Sequence, residues 1–533
     1  MPDLFRERFA SPAAGLAALL FILLYMSFMM VAQFKAGGII MKVAWPGSGV
    51  LSLGEDQATF LLNAKSFQSL EASGVPRSVV SKLEPLGGVG FRSAGELSEQ
   101  LQQVLTPDEF AGFKDKIVGQ SKQLDRLYIL GLVIFSLTVV GYTLIGGFLA
   151  AVWTDLFQSV MMLVGVVVLV CLALPAVGGL ERATRSAVEG IEQVELKARE
   201  QAAQAAGGAT QATAEVHAQI ERQARERAAR YAFGPGYASD GRQFLPLGLA
   251  FSFFFVWVYS GLGSPAGFVR IMASKSTEHI RRSIFMLNAY NALIYIPLVI
   301  ICICGRALFP KLPPGSGSDE IIPLLTLKVT ERISGGSLLA GLVLTAPFGA
   351  VMATVSGYLV VIASGFIRDV YQRFVRPDAT ATEIRRLTYI VMIVVGLIAF
   401  AANIHPVEYL QAIVVFSGTG AAATFVVPAL MAAFWRRATA PGALAAMIAG
   451  GGTMIALYFI GFTQSDPMIG NMTKFRPYFL LGLDPIVWGL AVSAIAGVTV
   501  SLATSPPDAT RVSRLFDAEP SAKELGIGGG TVQ

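Results

Sequence analysis

Long apolar segments recur along this chain and constrain its fold more than any other feature. Each holds about twenty residues or more with few charges, the length that a helix needs to cross a bilayer. Lipid cannot satisfy the backbone of a loop or an open sheet, so the pattern predicts a bundle of membrane-spanning helices. Ten such segments can be delimited: Ala13–Met41, Leu127–Phe148, Ala150–Leu174, Phe244–Gly263, Ser283–Cys304, Ser337–Ile367, Leu387–Ile404, Tyr409–Phe434, Gly442–Phe462 and Pro485–Ala503.

The composition agrees with an all-α polytopic membrane protein of ten transmembrane helices. Of 533 residues, 54% are hydrophobic and 14% charged, and the mean hydropathy of +0.60 excludes a water-soluble globule. The three cysteines (Cys171, Cys302 and Cys304) lie in apolar segments and are expected to be packing residues. The three histidines are scattered, and no phosphate-binding loop or catalytic triad spacing appears. These patterns argue against an enzyme, a metal centre and a nucleic-acid partner.

Basic residues cluster on one side of the predicted bundle. With ten spans both termini share a side, and the positive-inside rule places that side in the cytoplasm of a cell whose plasma (inner) membrane holds the protein. Lys35, inside the first span, is expected to extend towards the outer interface. The basic positions that set this orientation are Arg6, Arg8, Arg270, Lys275, Arg281, Arg282, Arg368, Arg373, Arg376, Arg385, Arg386, Arg436 and Arg437.

Two hydrophilic inserts would then lie outside the cell. The first contains helix-start signals at Ser93 and Thr106 and a break at Pro76, which predict a small helical subdomain. The second is rich in Ala, Glu, Gln and Arg and predicts a polar helical hairpin, or alternatively a solvated spacer. The predicted organisation is a cytoplasmic start and first span (1–41), the first insert (42–126), spans two and three (127–175), the second insert (176–243), a transporter core of spans four to ten (244–503) and a cytoplasmic tail (504–533).

The uncharged stretch Ser337–Ile367 has small and hydroxyl residues where an ordinary span has large apolar ones. Gly349, Ala353, Thr354 and Ser356 lie near its middle. Hydroxyls and carbonyls at this depth are ligands that can replace the water of a bare cation. The alternative is a tightly packed helix interface.

Four motifs make the chain resemble the sodium/solute symporter family, especially its proline and pantothenate branches. They occur in the family's order across the membrane spans, although not in the inserts. The motifs are Ile145–Gln158 (IGGFLAAVWTDLFQ), Gly263–Ala273 (GSPAGFVRIMA), Ala350–Tyr371 (beginning AVMATVSGYL) and Trp435–Ala443 (WRRATAPGA).

The resemblance implies a leucine-transporter-like fold, a five-plus-five inverted repeat with broken helices at mid-membrane. Here the repeat would be incomplete, because the chain begins where the family's fourth span begins, about three spans in. An internal start, a separately encoded N-terminal segment or a degenerate relative would each explain this. The sequence Ser260–Pro265 would break the helix that opens the second repeat, since two glycines and a proline disrupt the helical ladder. Solute-binding residues are expected at Trp257, Tyr259, Gly261 and Ser264, with lipid packing as the alternative role of Trp257.

The resemblance also implies a sodium site on the span Ser337–Ile367. Its ligands would be the carbonyl of Ala350 and the side chains at positions 353 and 354. Thr354 supplies a hydroxyl, whereas Ala353 does not, which predicts weaker binding or a water in its place. Asp155 would assist sodium release towards the cytoplasm, or simply cap its helix.

The function implied is sodium-coupled symport of a small organic solute, such as an amino acid, carboxylate or vitamin. The co-transported ion is sodium, and the partners are the solute, the lipid bilayer and, in one interpretation, the separately encoded N-terminal segment. A non-transporting solute sensor, or a subunit of a split transporter, is the alternative. A proton-coupled carrier ranks below both, since the spans hold almost no carboxylate except Asp155.

Overall fold

A computed structural model describes residues 2–44, 60–62, 64–87, 89–91, 94–121, 126–205, 214–229, 247–272, 274–310, 312, 318–404, 410–463 and 475–516. Apart from one two-stranded ribbon, β1 (Phe60–Leu61) with β2 (Gly90–Phe91), this part is built from helices. They are α1 (Pro2–Phe9), α2 (Pro12–Ala44), α3 (Ala64–Ala72), α4 (Arg77–Leu83), α5 (Ala94–Val104), α6 (Pro107–Ser121), α7 (Arg126–Val177), α8 (Leu180–Ala205), α9 (Ala214–Ala229), α10 (Leu247–Leu262), α11 (Pro265–Met272), α12 (Thr277–Leu308), α13 (Ile321–Thr330), α14 (Gly336–Ser364), α15 (Ala381–Ala402), α16 (Leu410–Phe434), α17 (Ala440–Thr463), α18 (Pro485–Ala503) and α19 (Ala509–Phe516).

The predicted all-α multi-pass fold is confirmed. By length and composition, the described residues contain nine helical segments able to cross a membrane, two of them within α7. The remaining predicted span is α10, which has only 16 residues and is followed, after Gly263 and Ser264, by α11.

Three predicted spans differ in detail from the structure. Leu127–Phe148 and Ala150–Leu174 are one helical run, α7, that kinks at Gly147 with φ 57° and ψ −157°. A residue with a Cβ rarely adopts this φ, so glycine suits the kink. The span predicted to end at Ile367 changes after Ser364 into a π-helical segment, Gly365–Val375.

The core of the membrane part forms around α2, which packs against α7, α14 and α16. Small residues allow close approach: a Cβ built on Gly37 would lie 2.4 Å from the Phe135 ring, and one on Gly420 would lie 2.1 Å from the Tyr25 ring. In lipid such close packing replaces the hydrophobic effect as the force that joins helices.

The sequence predicts that Lys35 extends to the outer interface, but the structure shows otherwise. Its side chain is buried, and Nζ lies 2.7 Å from Oδ2 of Asp319. The same carboxylate oxygen accepts from the backbone N–H of Leu410, 3.3 Å away, at the start of α16. The ion pair therefore links α2, α16 and the turn before α13.

The first insert has a small core of its own that includes Leu70, Leu83 and Leu101. As predicted, Thr106 begins a helix: its N–H donates to Oε2 of Glu109 (2.9 Å), and the Glu109 N–H donates to Thr106 Oγ1 (3.5 Å). The salt bridge from Lys82 and the Thr106 N–H lower the pKa of Glu109 to about 2. Ser93, the other predicted helix start, lies outside the described residues.

Two polar helices, α8 and α9, form the described part of the second insert and pack against each other. Arg225 Nε lies 3.3 Å from Oε1 of Glu192 across their contact. The turn that would join them, with Gly207 and Gly208, lies outside the described residues. The placement of both inserts outside the cell stays a prediction.

Candidate functional site

Two of the predicted sodium ligands lie side by side on α14. The hydroxyl of Thr354 donates to the carbonyl oxygen of Ala350, with 2.9 Å between the oxygens. Both residues are half-buried. Each oxygen keeps a lone pair, and neutral oxygens at this separation suit a hard cation such as sodium.

Ala353 contributes no hydroxyl, but a hydroxyl from the next turn contacts its backbone. Ser356 is fully buried, and its Oγ donates to the Ala353 carbonyl 3.1 Å away. The sequence marks Ser356 only as one of the small and hydroxyl residues near the middle of Ser337–Ile367.

The first half of α7 adds a polar side chain to this stretch of α14. The Tyr142 hydroxyl donates to the Met352 carbonyl, 3.0 Å away, so a backbone oxygen in the middle of α14 has an inter-helix partner. Asp155 and Gln158, from the second half of α7, lie within electrostatic range of the same tyrosine. Tyr142 and Gln158 were missed, because spacing within one motif does not show which side chains meet across the kink at Gly147.

The alternative interpretation, a tightly packed helix interface, also holds for some of these small residues. A Cβ on Gly349 would lie 3.3 Å from the Gln158 side chain, and one on Gly165 would lie 2.4 Å from Ala346. These small residues let α14 and α7 approach closely. The closely packed glycines and the Ala350–Thr354 oxygen pair thus occupy different positions on the same helix.

The predicted helix break is present at residues 263 and 264. α10 ends at Leu262, and α11 begins at Pro265. Gly263 is pressed against α16, where a Cβ would lie 2.4 Å from Cα of Ala422. α11 in turn contacts α14, which places the break beside the helix that carries Thr354.

The predicted solute-binding residues do not share one environment. Trp257 is 60% exposed on α10, whereas Tyr259 is half-buried and stacks on Phe255 with ring centroids 5.5 Å apart. Gly261 faces open space, and the Ser264 N–H donates to the Gly261 carbonyl at 3.3 Å. Among the described residues, no group of three or more His, Cys, Asp or Glu could hold a metal ion.

A family model described as the sodium:solute symporter family matches residues 121–450. That range contains α7, the broken helix and α14. A sodium/pantothenate symporter of Haemophilus influenzae is 28% identical over 388 residues, or 71% of this chain and 68% of that protein. The sodium/pantothenate symporter of Escherichia coli is 27% identical, covering 72% of this chain and 66% of that protein. The sodium/proline symporter of Escherichia coli is 25% identical, covering 71% and 63%.

The chain therefore spans about two thirds of the length of these relatives. Among solved structures, a Na⁺-coupled sialic acid symporter in a substrate-bound outward-open state is similar to this chain. The alignment covers 95% of this chain and 93% of that symporter chain. The TM-score is 0.43 and the identity 19%, which is below the level that establishes a shared fold.

Proposed function

Because the chain belongs to the sodium:solute symporter family, we propose that it is a sodium-coupled secondary transporter of a small organic solute. The observation that carries the proposal is the Ala350–Thr354 oxygen pair on an uncharged stretch of α14, beside an interrupted helix. The hydroxyl and the carbonyl already pair within the helix, but each oxygen keeps a lone pair that could coordinate a cation. A cation pathway gives them a role.

Sodium is the proposed co-transported ion, with Ala350 and Thr354 as ligands. The carbonyl and hydroxyl oxygens bear no full charge, which suits an ion that must be released again within each cycle. Ala353 leaves the set one hydroxyl short, so water would complete the coordination. Asp155 would attract sodium leaving the site, because a carboxylate on α7 stabilises a nearby cation.

The proposed solute site is the break between α10 and α11. The N–H groups of Gly263 and Ser264 are bonded to Tyr259 and Gly261, whereas Pro265 has no N–H to donate. The backbone carbonyls at the break are therefore the groups proposed to bind a polar solute. Gly261 and Ser264 border this break, and Trp257 and Tyr259 precede it by one to two turns. The names of the relatives make pantothenate and proline the first solutes to test.

The proposed transport cycle couples the two sites through the contact between α11 and α14. Sodium bound on α14 would favour the arrangement of the break that accepts solute, and solute would favour closure. Both termini are proposed to lie in the cytoplasm of a plasma-membrane protein, as the arginine distribution predicts.

We also propose that a further apolar segment, preceding this chain or encoded separately, covers the exposed aromatic side of α10. Phe251, Phe254 and Trp257 are all exposed there. Lipid is the alternative occupant. A fluorescent label at Trp257→Cys should be shielded from a lipid-soluble quencher if protein covers this face. Quenching as strong as at an exposed α12 position, such as Phe285→Cys, would contradict the proposal.

Uptake into membrane vesicles tests the function directly. Vesicles from cells that produce the chain at its native locus should accumulate labelled pantothenate or proline with a sodium gradient, but not with a potassium gradient. Thr354→Val should raise the sodium concentration for half-maximal uptake about tenfold, since one hydroxyl ligand is lost. Thr345→Val, at an exposed position of the same helix, is the matched control and should leave uptake unchanged. Uptake of either solute that does not depend on sodium would refute the proposed coupling.

A non-transporting sensor, or a subunit of a split transporter, is the second candidate. The missing hydroxyl at Ala353 and the folded insert with its own core favour it. In that case the purified chain would bind solute in a sodium-dependent manner, while the vesicles would show no uptake.

A further inference from the structure

Basic and aromatic side chains meet at the end of the bundle where α16 and α18 finish. α19 follows α18 after residues 504–508. Its Phe516 ring centroid lies 5.1 Å from Cζ of Arg8 on α1 and 5.4 Å from Cζ of Arg436, just after α16. Two guanidinium groups from separate segments therefore contact one ring.

Arg8 is fixed in this position by the end of α16. It is buried, and its Nε donates to the Ala432 carbonyl (3.0 Å) while Nη2 donates to the Trp435 carbonyl (3.1 Å). A cation there also stabilises the negative end of the helix dipole. Arg511 lies on α19, five residues before Phe516, and its charge adds to burial in lowering the pKa of Arg8. Arg8, Arg436 and Arg511 are called the guanidinium cluster below.

Two apolar side chains near the cluster, Leu515 and Phe434, are exposed. Val512, Leu515 and Phe516 follow helical spacing on α19, with Leu515 exposed. Phe434, the last residue of α16, is 79% exposed. A short helix with basic and apolar sides lies at the boundary between lipid headgroups and acyl chains. In that position the cluster would reach the depth of lipid phosphates, between water and hydrocarbon.

We propose that the guanidinium cluster binds the phosphate of an anionic phospholipid in the leaflet at this end of the bundle. Arg436 and Arg511, both exposed, would donate to the phosphate, and Arg8 would position Phe516 and add positive potential. A guanidinium group matches phosphate oxygens with two parallel hydrogen bonds, and three like charges held together favour an anion between them. The exposed Phe434 and Leu515 would contact the acyl chains, which a free phosphate lacks.

Native mass spectrometry of the detergent-solubilised full chain tests the proposal. The chain should retain phosphatidylglycerol more tightly than phosphatidylcholine. Arg436→Gln/Arg511→Gln should weaken phosphatidylglycerol binding about tenfold or more, because two guanidinium contacts are lost. Arg385→Gln/Arg386→Gln, which removes two exposed arginines near the start of α15, should leave binding unchanged. Excess inorganic phosphate should not displace the lipid.

Several results would overturn the proposal. They are equal retention of both lipids, equal weakening by the two double variants, or full displacement by inorganic phosphate, which would indicate a soluble phosphate ligand. If the double variant does not fold, Arg511→Gln and Arg511→Lys replace it. The glutamine variant should bind less phosphatidylglycerol than the lysine variant, which keeps the charge, and the proposal fails if both bind like the unmodified chain.

Discussion

Asp484 is a buried carboxyl just before the span of α18, where it caps the helix. Its Oδ1 accepts from the Ile486 N–H at 3.0 Å, and its own N–H donates to Ser252 Oγ at 2.9 Å. Burial raises the pKa of Asp484 from its usual 3.8 to about 6. The folded protein therefore binds this proton more tightly than the unfolded protein does, and the folded state loses stability as the pH rises from about 4 to about 6.

The first prediction concerns this pH dependence. Between pH 4.5 and 7.5 the carboxyl should cost the folded state about 2 kcal/mol, given the pKa difference. Asp484→Asn keeps the cap acceptor but does not ionise. The stability of this variant should therefore change less between pH 4.5 and 7.5. Thermal unfolding in detergent at pH 4.5, 5.5 and 7.5 measures this pH dependence of stability. Parallel curves for the variant and the unmodified chain would contradict the assignment.

The second prediction concerns the buried ion pair of Lys35 and Asp319. Lys35→Met should destabilise the protein by about 3 kcal/mol, because Asp319, only 17% exposed, stays beside α16 without this cation. Lys35→Met/Asp319→Asn should recover part of the loss, since the amide oxygen can still accept from Leu410. Thermal midpoints of the single and double variants decide this, and a double variant no more stable than Lys35→Met would argue against a charge effect.

At the scale of elements, the break between α10 and α11 was predictable and the packing around it was not. Two glycines and Pro265 interrupt a helix through local chemistry alone, so reading along the chain finds the break. The contact of Gly263 with Ala422 joins residues far apart in sequence. The same limit hid the Tyr142–Met352 hydrogen bond and the ion pair of Lys35, whose partner lies 284 positions away.

The third prediction separates two glycines of this region. Gly263→Ala should destabilise the protein by about 1–3 kcal/mol, since the new methyl group would overlap the α16 backbone. Gly261→Ala is the control, because a Cβ there meets open space and alanine favours the helix. Thermal unfolding of both variants tests the difference. Similar midpoints for the two would show that α10 does not press on α16 at Gly263.

At the scale of the whole molecule, one charge asymmetry predicts the direction in which the bundle crosses the membrane. Contacts place α1, α19 and the turn after α16 at one end, and this end carries Arg8, Arg436, Arg437 and Arg511. Because basic segments are retained in the cytoplasm, both inserts should face outward. The helical nature of the first insert was predictable from its capping residues and that of the second from its composition. The core of the first insert, which includes Leu70 and Leu101, depends on contacts between separate helices.

The fourth prediction therefore concerns labelling from the two sides of the membrane. In a chain whose three native cysteines are replaced by serine, Gln68→Cys in α3 and Lys197→Cys in α8 should react with a membrane-impermeant maleimide added to intact cells. Ser513→Cys in α19 should react only after the cells are opened, because it shares the basic end with Arg511. All three positions are exposed, so access to reagent rather than burial decides the result. Labelling of Ser513→Cys in intact cells, with protection of Gln68→Cys, would reverse the orientation and move the guanidinium cluster to the outer leaflet.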